Sequence, residues 1–202
     1  MSIRAVFFDF GGVIMRTEYQ APRQKLAERF NLDYDEIDKA VFGSDSARRA
    51  SLGEISEEAH WAAILKRFKQ PASETKAFHD QFFGGDVFDR HLIEYIRSLR
   101  GSLHIGLISN AWSGLRALLV RENLLALFDT AIISAEVGMV KPSAEIYELA
   151  LRQAGVTASE SVFVDDMPLN IDACEKVGMT GILFRNSETS LIHLNQVLKV
   201  NK

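Results

Sequence analysis

Ala5-Val6-Phe7-Phe8-Asp9-Phe10-Gly11-Gly12-Val13 is the stretch whose reading decides the fold. A short, unbroken apolar run ends in a carboxylate and is followed by two glycines. The run has neither a helical period nor polar alternation, so it reads as a strand covered on both faces, the usual condition in a parallel sheet. A second run, Ser161-Val162-Phe163-Val164, ends in the pair Asp165-Asp166. In one parallel sheet both runs deliver their acids to the same rim, where ligands of open α/β sheets gather. Three carboxylates there make a metal site and place one of themselves beside the metal as a nucleophile. That arrangement points to phosphate chemistry.

Working outward, Ile3–Phe8, Leu103–Ser109, Thr130–Ser134, Ser161–Val164 and Thr180–Phe184 read as strands. Helical patterns lie between the later ones: Ser113–Glu122, Ala144–Ala154 closed by Gly155, and Pro168–Val177 closed by Gly178. Glycine after a helix is the residue that most readily takes the left-handed cap conformation. Strands alternating with helices of this length predict an α/β fold with a doubly wound parallel sheet. From about Glu18 to Gly85 the rhythm breaks. Helical patterns at Pro22–Phe30, Asp33–Phe42, Ser56–Phe68 and about Ser73–Phe83 predict an all-helical insertion after the first strand, with Asp33 and Ser56 as N-caps. Phe30, Val41, Phe42, Trp61, Leu65, Phe68, Phe78 and Phe82 are expected to form its own small core. The expected division is therefore 1–17 with 86–202 as the core domain and 18–85 as a helical cap. A last helical pattern carries Leu191, Leu194, Val197 and Leu198, and suits either packing on the core or a subunit contact, so monomer and homodimer both stay open.

The chain has 202 residues, 47% hydrophobic and 25% charged, with a net charge of -4. No basic patch speaks for a nucleic-acid or membrane-surface partner. The one cysteine, Cys174, excludes an internal disulfide and fits a reducing compartment. The few apolar residues before Asp9 are too short for a signal peptide or a membrane span, so a cytoplasmic location is expected. His60, His79, His91, His104 and His193 show no metal-ligand spacing, Asp33-Tyr34-Asp35 lacks the rest of a calcium loop, and no phosphate-binding P-loop or dinucleotide fingerprint occurs.

The polar residues at the expected strand tips are Asp9, Ser109-Asn110, Lys141 and Asp165-Asp166. Their segments, Phe7-Phe8-Asp9-Phe10-Gly11-Gly12-Val13, Leu107-Ile108-Ser109-Asn110, Gly138-Met139-Val140-Lys141-Pro142 and Val162-Phe163-Val164-Asp165-Asp166-Met167-Pro168-Leu169-Asn170, resemble in order the four motifs of the haloacid dehalogenase-like (HAD) hydrolase superfamily. The resemblance covers essentially the whole chain. It is nearest to the phosphatase branch that includes glucose-1-phosphatase-like proteins and the amino-terminal domain of soluble epoxide hydrolase. The insertion sits where that family carries a helical cap, and Gly53-Glu54-Ile55-Ser56 is similar to a segment of such caps.

The resemblance implies a Rossmann-like core and a Mg²⁺-dependent phosphatase acting on a small phosphorylated molecule. In it Asp9 is nucleophile and metal ligand. Asp166 binds the metal directly, Asp165 directly or through water, and Gly11 through its carbonyl. Lys141 offsets charge on Asp9 and the phosphate, Ser109 and the Asn110 backbone bind phosphate oxygens, and Gly11 and Gly12 are substrate-binding. The chemistry is consistent, because phosphoryl transfer is mostly positioning and electrostatics. Asn170 either orients Lys141 or only decorates its helix. Arg16, Glu18, Arg48, Arg49 and Trp112 are candidates for selecting the substrate, against the plain reading of Arg48-Arg49 as a solvated face.

One position departs from the family. Its phosphatases carry aspartate two residues after the nucleophile, as acid and base, and here that place is Gly11. Loss of a positioned acid typically costs roughly 10²–10⁴ in rate. Three readings follow: a phosphatase for substrates with a good leaving group, such as a sugar 1-phosphate, an acyl phosphate or an aryl phosphate; a protein that binds a phosphorylated ligand or partner without turnover; or a haloacid dehalogenase, which needs no second acid but does not use Mg²⁺.

Overall fold

A computed structural model describes residues 2–199. The elements run β1 (Ala5–Phe8), β2 (Met15–Thr17), α1 (Ala21–Arg29), α2 (Tyr34–Phe42), α3 (Asp45–Ser51), α4 (Glu57–Arg67), α5 (Thr75–Phe82), β3 (Asp86–Phe88), α6 (Arg90–Leu99), β4 (His104–Ser109), α7 (Leu115–Arg121), β5 (Thr130–Ile133), α8 (Ser134–Val137), α9 (Ala144–Ala154), β6 (Ser161–Asp165), α10 (Pro168–Val177), β7 (Thr180–Leu183) and α11 (Ser187–Leu198).

Five strands form a parallel sheet in the order β5-β4-β1-β6-β7. Because side chains alternate along a strand, Val6 and Phe8 meet Leu92, Ile96, Leu119 and Leu194 on one face. Ala5 and Phe7 meet Ile146, Tyr147, Ala150 and Cys174 on the other. Helices α6, α7 and α11 therefore cover one side and α9 and α10 the other, as the continuous apolar runs require. β1 lies at the centre, so its tip opens between β4 and β6, where the chain's winding changes direction.

The insertion stands on a two-stranded antiparallel ribbon, β2 with β3. Helices α2, α3 and α4 start at side-chain caps: the Asp33 carboxylate and Glu36 make a reciprocal capping box, and the Ser44 and Ser56 hydroxyls accept from Ala47 N–H and Ala59 N–H. Leu26, Ile37, Val41, Trp61, Ile64, Leu65, Phe78 and Phe82 are buried together. Phe30 and Phe68 are only partly buried at its edge. Phe42, expected inside, is 47% exposed. It follows the buried Val41 at the end of α2 and turns one face outward.

This helical cluster is fastened to the sheet domain at its far side too. Trp112, from the loop after β4, inserts among the cap residues and donates from its indole N–H to the Ala47 carbonyl at 3.3 Å. The Glu57 carboxylate accepts from the Gly114 amide at 2.8 Å and from the Trp61 indole at 3.2 Å. The Glu57 amide donates to the Ser113 hydroxyl at 3.3 Å. Gly53, at φ +71°, presses so close to α8 that a Cβ there would fall 2.2 Å from the Ala135 carbonyl oxygen. Only glycine serves at that contact.

Candidate active site

β1 and β6 are paired through Phe8 and Val164, so the next residue on each, Asp9 and Asp165, emerge side by side. The Asp9 amide donates to the Val164 carbonyl at 2.9 Å. Lys141 arrives in the loop between α8 and α9. Asn110 fixes it there: its side-chain amide donates to the Lys141 carbonyl and accepts from the Lys141 N–H, both at 2.8 Å. The Lys141 ammonium then reaches Asp9 Oδ1 at 2.8 Å and Asp165 Oδ2 at 2.6 Å, 5.2 Å above the Phe163 ring. The lysine and both carboxylates are buried. Removing one member of such a set leaves an uncompensated buried charge and costs about 3–5 kcal/mol.

Asp165 is held from several sides. Beyond Lys141 it accepts from the Met167 amide at 2.8 Å and from the Asn170 side-chain amide at 3.0 and 3.1 Å. Asn170 thus orients Asp165, which neither sequence reading of it named, and Tyr147 Oη donates to the Asn170 carbonyl at 3.0 Å from below. The place of Asn170 on the first turn of α10, started by Pro168, was the available signal.

Asp166 lies across the Asp9 loop. A Cβ on Gly12, at φ +79°, would fall 2.3 Å from its carboxylate, so Gly12 supplies both the turn and the room for that acid. Oxygens of Asp9, Asp165 and Asp166 lie within 4.8 Å of one another. With all three acids ionised, three negative charges and one ammonium would leave an excess of two negative charges, which a divalent cation would cancel. Burial pushes the Asp9 carboxyl up to about 7, with Lys141 opposing and Asp165 adding to the rise. Burial, and then Asp165, also raise Asp166. Crowded carboxylates that resist losing their protons are a donor set in want of a cation, and an all-oxygen set suits Mg²⁺ rather than a softer metal. The residues present fit that ion.

Ser109 is buried at the end of β4, the strand beside β1. Gly11 is exposed in the turn closed by the Gly12 N–H on the Met15 carbonyl, and a Cβ on it would meet nothing within 4 Å. The arginines named from sequence do not join this group. Arg16 donates to Asp89 at 2.7 Å and to Glu18 and the Val13 carbonyl at 3.0 Å. Arg49 pairs with Glu54 at 3.4 Å and Arg48 with Asp45 at 3.1 Å. Trp112 packs into the cap rather than facing an open cleft. Partners 73 residues apart, such as Arg16 and Asp89, leave no local trace in a sequence.

The family model described as haloacid dehalogenase-like hydrolase matches residues 3–178. Bifunctional epoxide hydrolase 2 of Sus scrofa is 29% identical over 99% of the chain, which spans 40% of that longer protein. A sesquiterpene phosphatase of Aspergillus oryzae is 26% identical over 98% of the chain and 97% of its own length. Among solved structures, an enzyme of Bacteroides thetaiotaomicron in complex with magnesium and inorganic phosphate superimposes with a TM-score of 0.76 at 18% identity, covering 91% of this chain and 95% of that one.

Proposed function

Since the chain belongs to the haloacid dehalogenase-like hydrolase family, we propose that it is a Mg²⁺-dependent phosphatase that hydrolyses a small phosphate monoester through a phosphoryl group carried on Asp9. The observation that carries the reading is the meeting of Asp9, Asp165 and Asp166 around Lys141 at the tips of β1 and β6. The phosphatase name of the Aspergillus relative supports it.

Bound Mg²⁺ would supply positive charge between the phosphate oxygens and Asp9, letting two anions approach. The chain's own residues do the rest. Phe10 N–H at 2.7 Å and Lys141 hold Asp9 Oδ1, which fixes the carboxylate for attack on phosphorus. The bond from Asp9 to phosphorus forms as the ester P–O bond breaks, and the leaving oxygen keeps the electron pair. Water then attacks the same phosphorus, releasing phosphate and restoring Asp9. Ser109, the Asn110 amide and the Gly11–Gly12 turn are assigned to the phosphate oxygens, and Asp166, Asp165 and the Gly11 carbonyl to the metal. With glycine at position 11, the preferred substrates have leaving groups that depart without a strong proton donor.

A panel of phosphorylated metabolites assayed with and without Mg²⁺, alongside Asp9→Asn, tests this. Phosphate release that requires Mg²⁺ and falls by at least about 10³-fold in Asp9→Asn is expected. Halide release from 2-chloropropionate that survives EDTA would replace the reading with a dehalogenase. Tight Mg²⁺ and phosphate binding with no turnover would replace it with a binding protein.

A further inference from the structure

Resting on the phosphatase reading, we infer that the organic part of the substrate is aromatic and seats on the outward face of Phe42, making the favoured esters phenolic. Three observations converge. The first is what the neighbourhood withholds. Arg16, Arg48 and Arg49 are each held by carboxylates, and the buried Arg23 is held by Asp38 at 2.6 Å and Asp86 at 3.3 Å. None of these four guanidiniums is left over to pair with a second anionic group on a substrate.

The second is what it offers. Phe42 ends α2, is 47% exposed as a residue, and is backed by aromatic neighbours: Trp112 at 5.7 Å, Phe82 at 5.3 Å and Phe83 at 6.2 Å. The Arg23 guanidinium lies 5.8 Å from its centroid. Trp112, packed against Phe42, stands two residues beyond Asn110, whose side chain holds Lys141, so the base under Phe42 is anchored in the loop that follows β4 at the site. Met167, next to Asp166, is 52% exposed. A rigid aromatic face on a packed base is a surface for another ring, and such pairs contribute about 0.5–1.5 kcal/mol beyond buried area.

The third is Gly11. A phenol has an ordinary pKa near ~10, far more acidic than an alkyl alcohol. When the P–O bond breaks, phenolate can keep the electron pair and take its proton from water afterwards, so no acid at position 11 is needed.

The test compares 1-naphthyl phosphate, an aryl ester, with acetyl phosphate, an acyl phosphate; both have good leaving groups and only one is aromatic. We expect kcat/KM to favour the naphthyl ester by about tenfold or more, and Phe42→Ala to remove most of that ratio. Phe42→Leu, which keeps apolar bulk without the π face, falls between. Ile192→Ala, at an apolar position on α11 that is at least as exposed, leaves the ratio unchanged. Mg²⁺-dependent turnover whose ratio is near one, or does not respond at Phe42, overturns the inference and spares the phosphatase reading. If no ester turns over, that reading fails instead, and binding decides the inference: with Mg²⁺ present, 1-naphthylphosphonate should bind about tenfold more tightly than methylphosphonate, and equal affinity overturns it.

Discussion

Gly11 is where one side chain most changes what the site can do. Its Cβ position is open and its φ is not in the left-handed region, so an acid can be added without strain. Gly11→Asp should raise kcat on simple alkyl phosphates by about 10²-fold or more while changing turnover of aryl or acyl phosphates far less. Steady-state rates across leaving-group pKa check it, as a flattened dependence. His60 carries a separate prediction. It is fully buried on α4, with Nδ1 2.9 Å from the Ser46 hydroxyl, its ring 4.2 Å from Trp112 and Nε2 unpartnered. Burial lowers its pKa from 6.5 to about 4. Protonation therefore favours the unfolded chain. The stability tied to His60 is whole above pH 6.5 and is lost as pH falls toward 4, a loss of order ~3 kcal/mol. Urea midpoints from pH 7.5 to 4.5 should drop more steeply in the wild type than in His60→Leu. At this scale the acids of the site are legible in sequence, because each ends an apolar run. The Arg16–Asp89 pair and the outward face of Phe42 are not, since both depend on how distant segments meet.

At the scale of elements, the five strands of the main sheet are legible because each is a run with no polar interruption, and α9 and α10 because Gly155 and Gly178 end them in the left-handed conformation. Helix α6 left a signal that the reading passed over: Asp89 as N-cap before Leu92, Ile93, Ile96 and Leu99. Helix α3 leaves almost none. Its seven residues, Asp45–Ser51, bury only Ala47 and Ala50, and it is held by its Ser44 cap and by Trp112. The ribbon of β2 and β3 is three half-polar residues a strand, too short to show a period. Where cap meets sheet domain, Gly114 is the sensitive point, since a Cβ on it would fall 2.2 Å from a Glu57 carboxylate oxygen. Gly114→Ala should push Glu57 off the Gly114 amide and lower stability by about 1–2 kcal/mol. Thermal denaturation beside Glu57→Ala checks it: once the carboxylate is gone, the glycine substitution should cost much less.

For the whole molecule, the acid cluster sets how stability and cation binding respond to pH. Without a cation, the raised Asp9 carboxyl favours the protonated folded state. Its ionisation penalty is absent below pH 3.8 and grows as pH rises toward 7. Mg²⁺ should offset that penalty. At saturating Mg²⁺ and pH 8 we expect Tm to rise by about 5–10 °C over the EDTA-treated protein, with a smaller rise at pH 5.5 and a much smaller one in Asp166→Asn. Scanning calorimetry under the four conditions checks this. Among the described residues no helix is long and apolar enough to cross a membrane.

The ring of Trp112 belongs by sequence to the loop after β4 and by packing to the interior of the helical insertion. A fragment spanning 18–85 alone would be missing a piece of its own centre, and the remainder would present a bare indole to water. Neither half is expected to be self-sufficient. Excision or grafting of the insertion should therefore yield two poorly behaved products, and the intact chain should melt in one step.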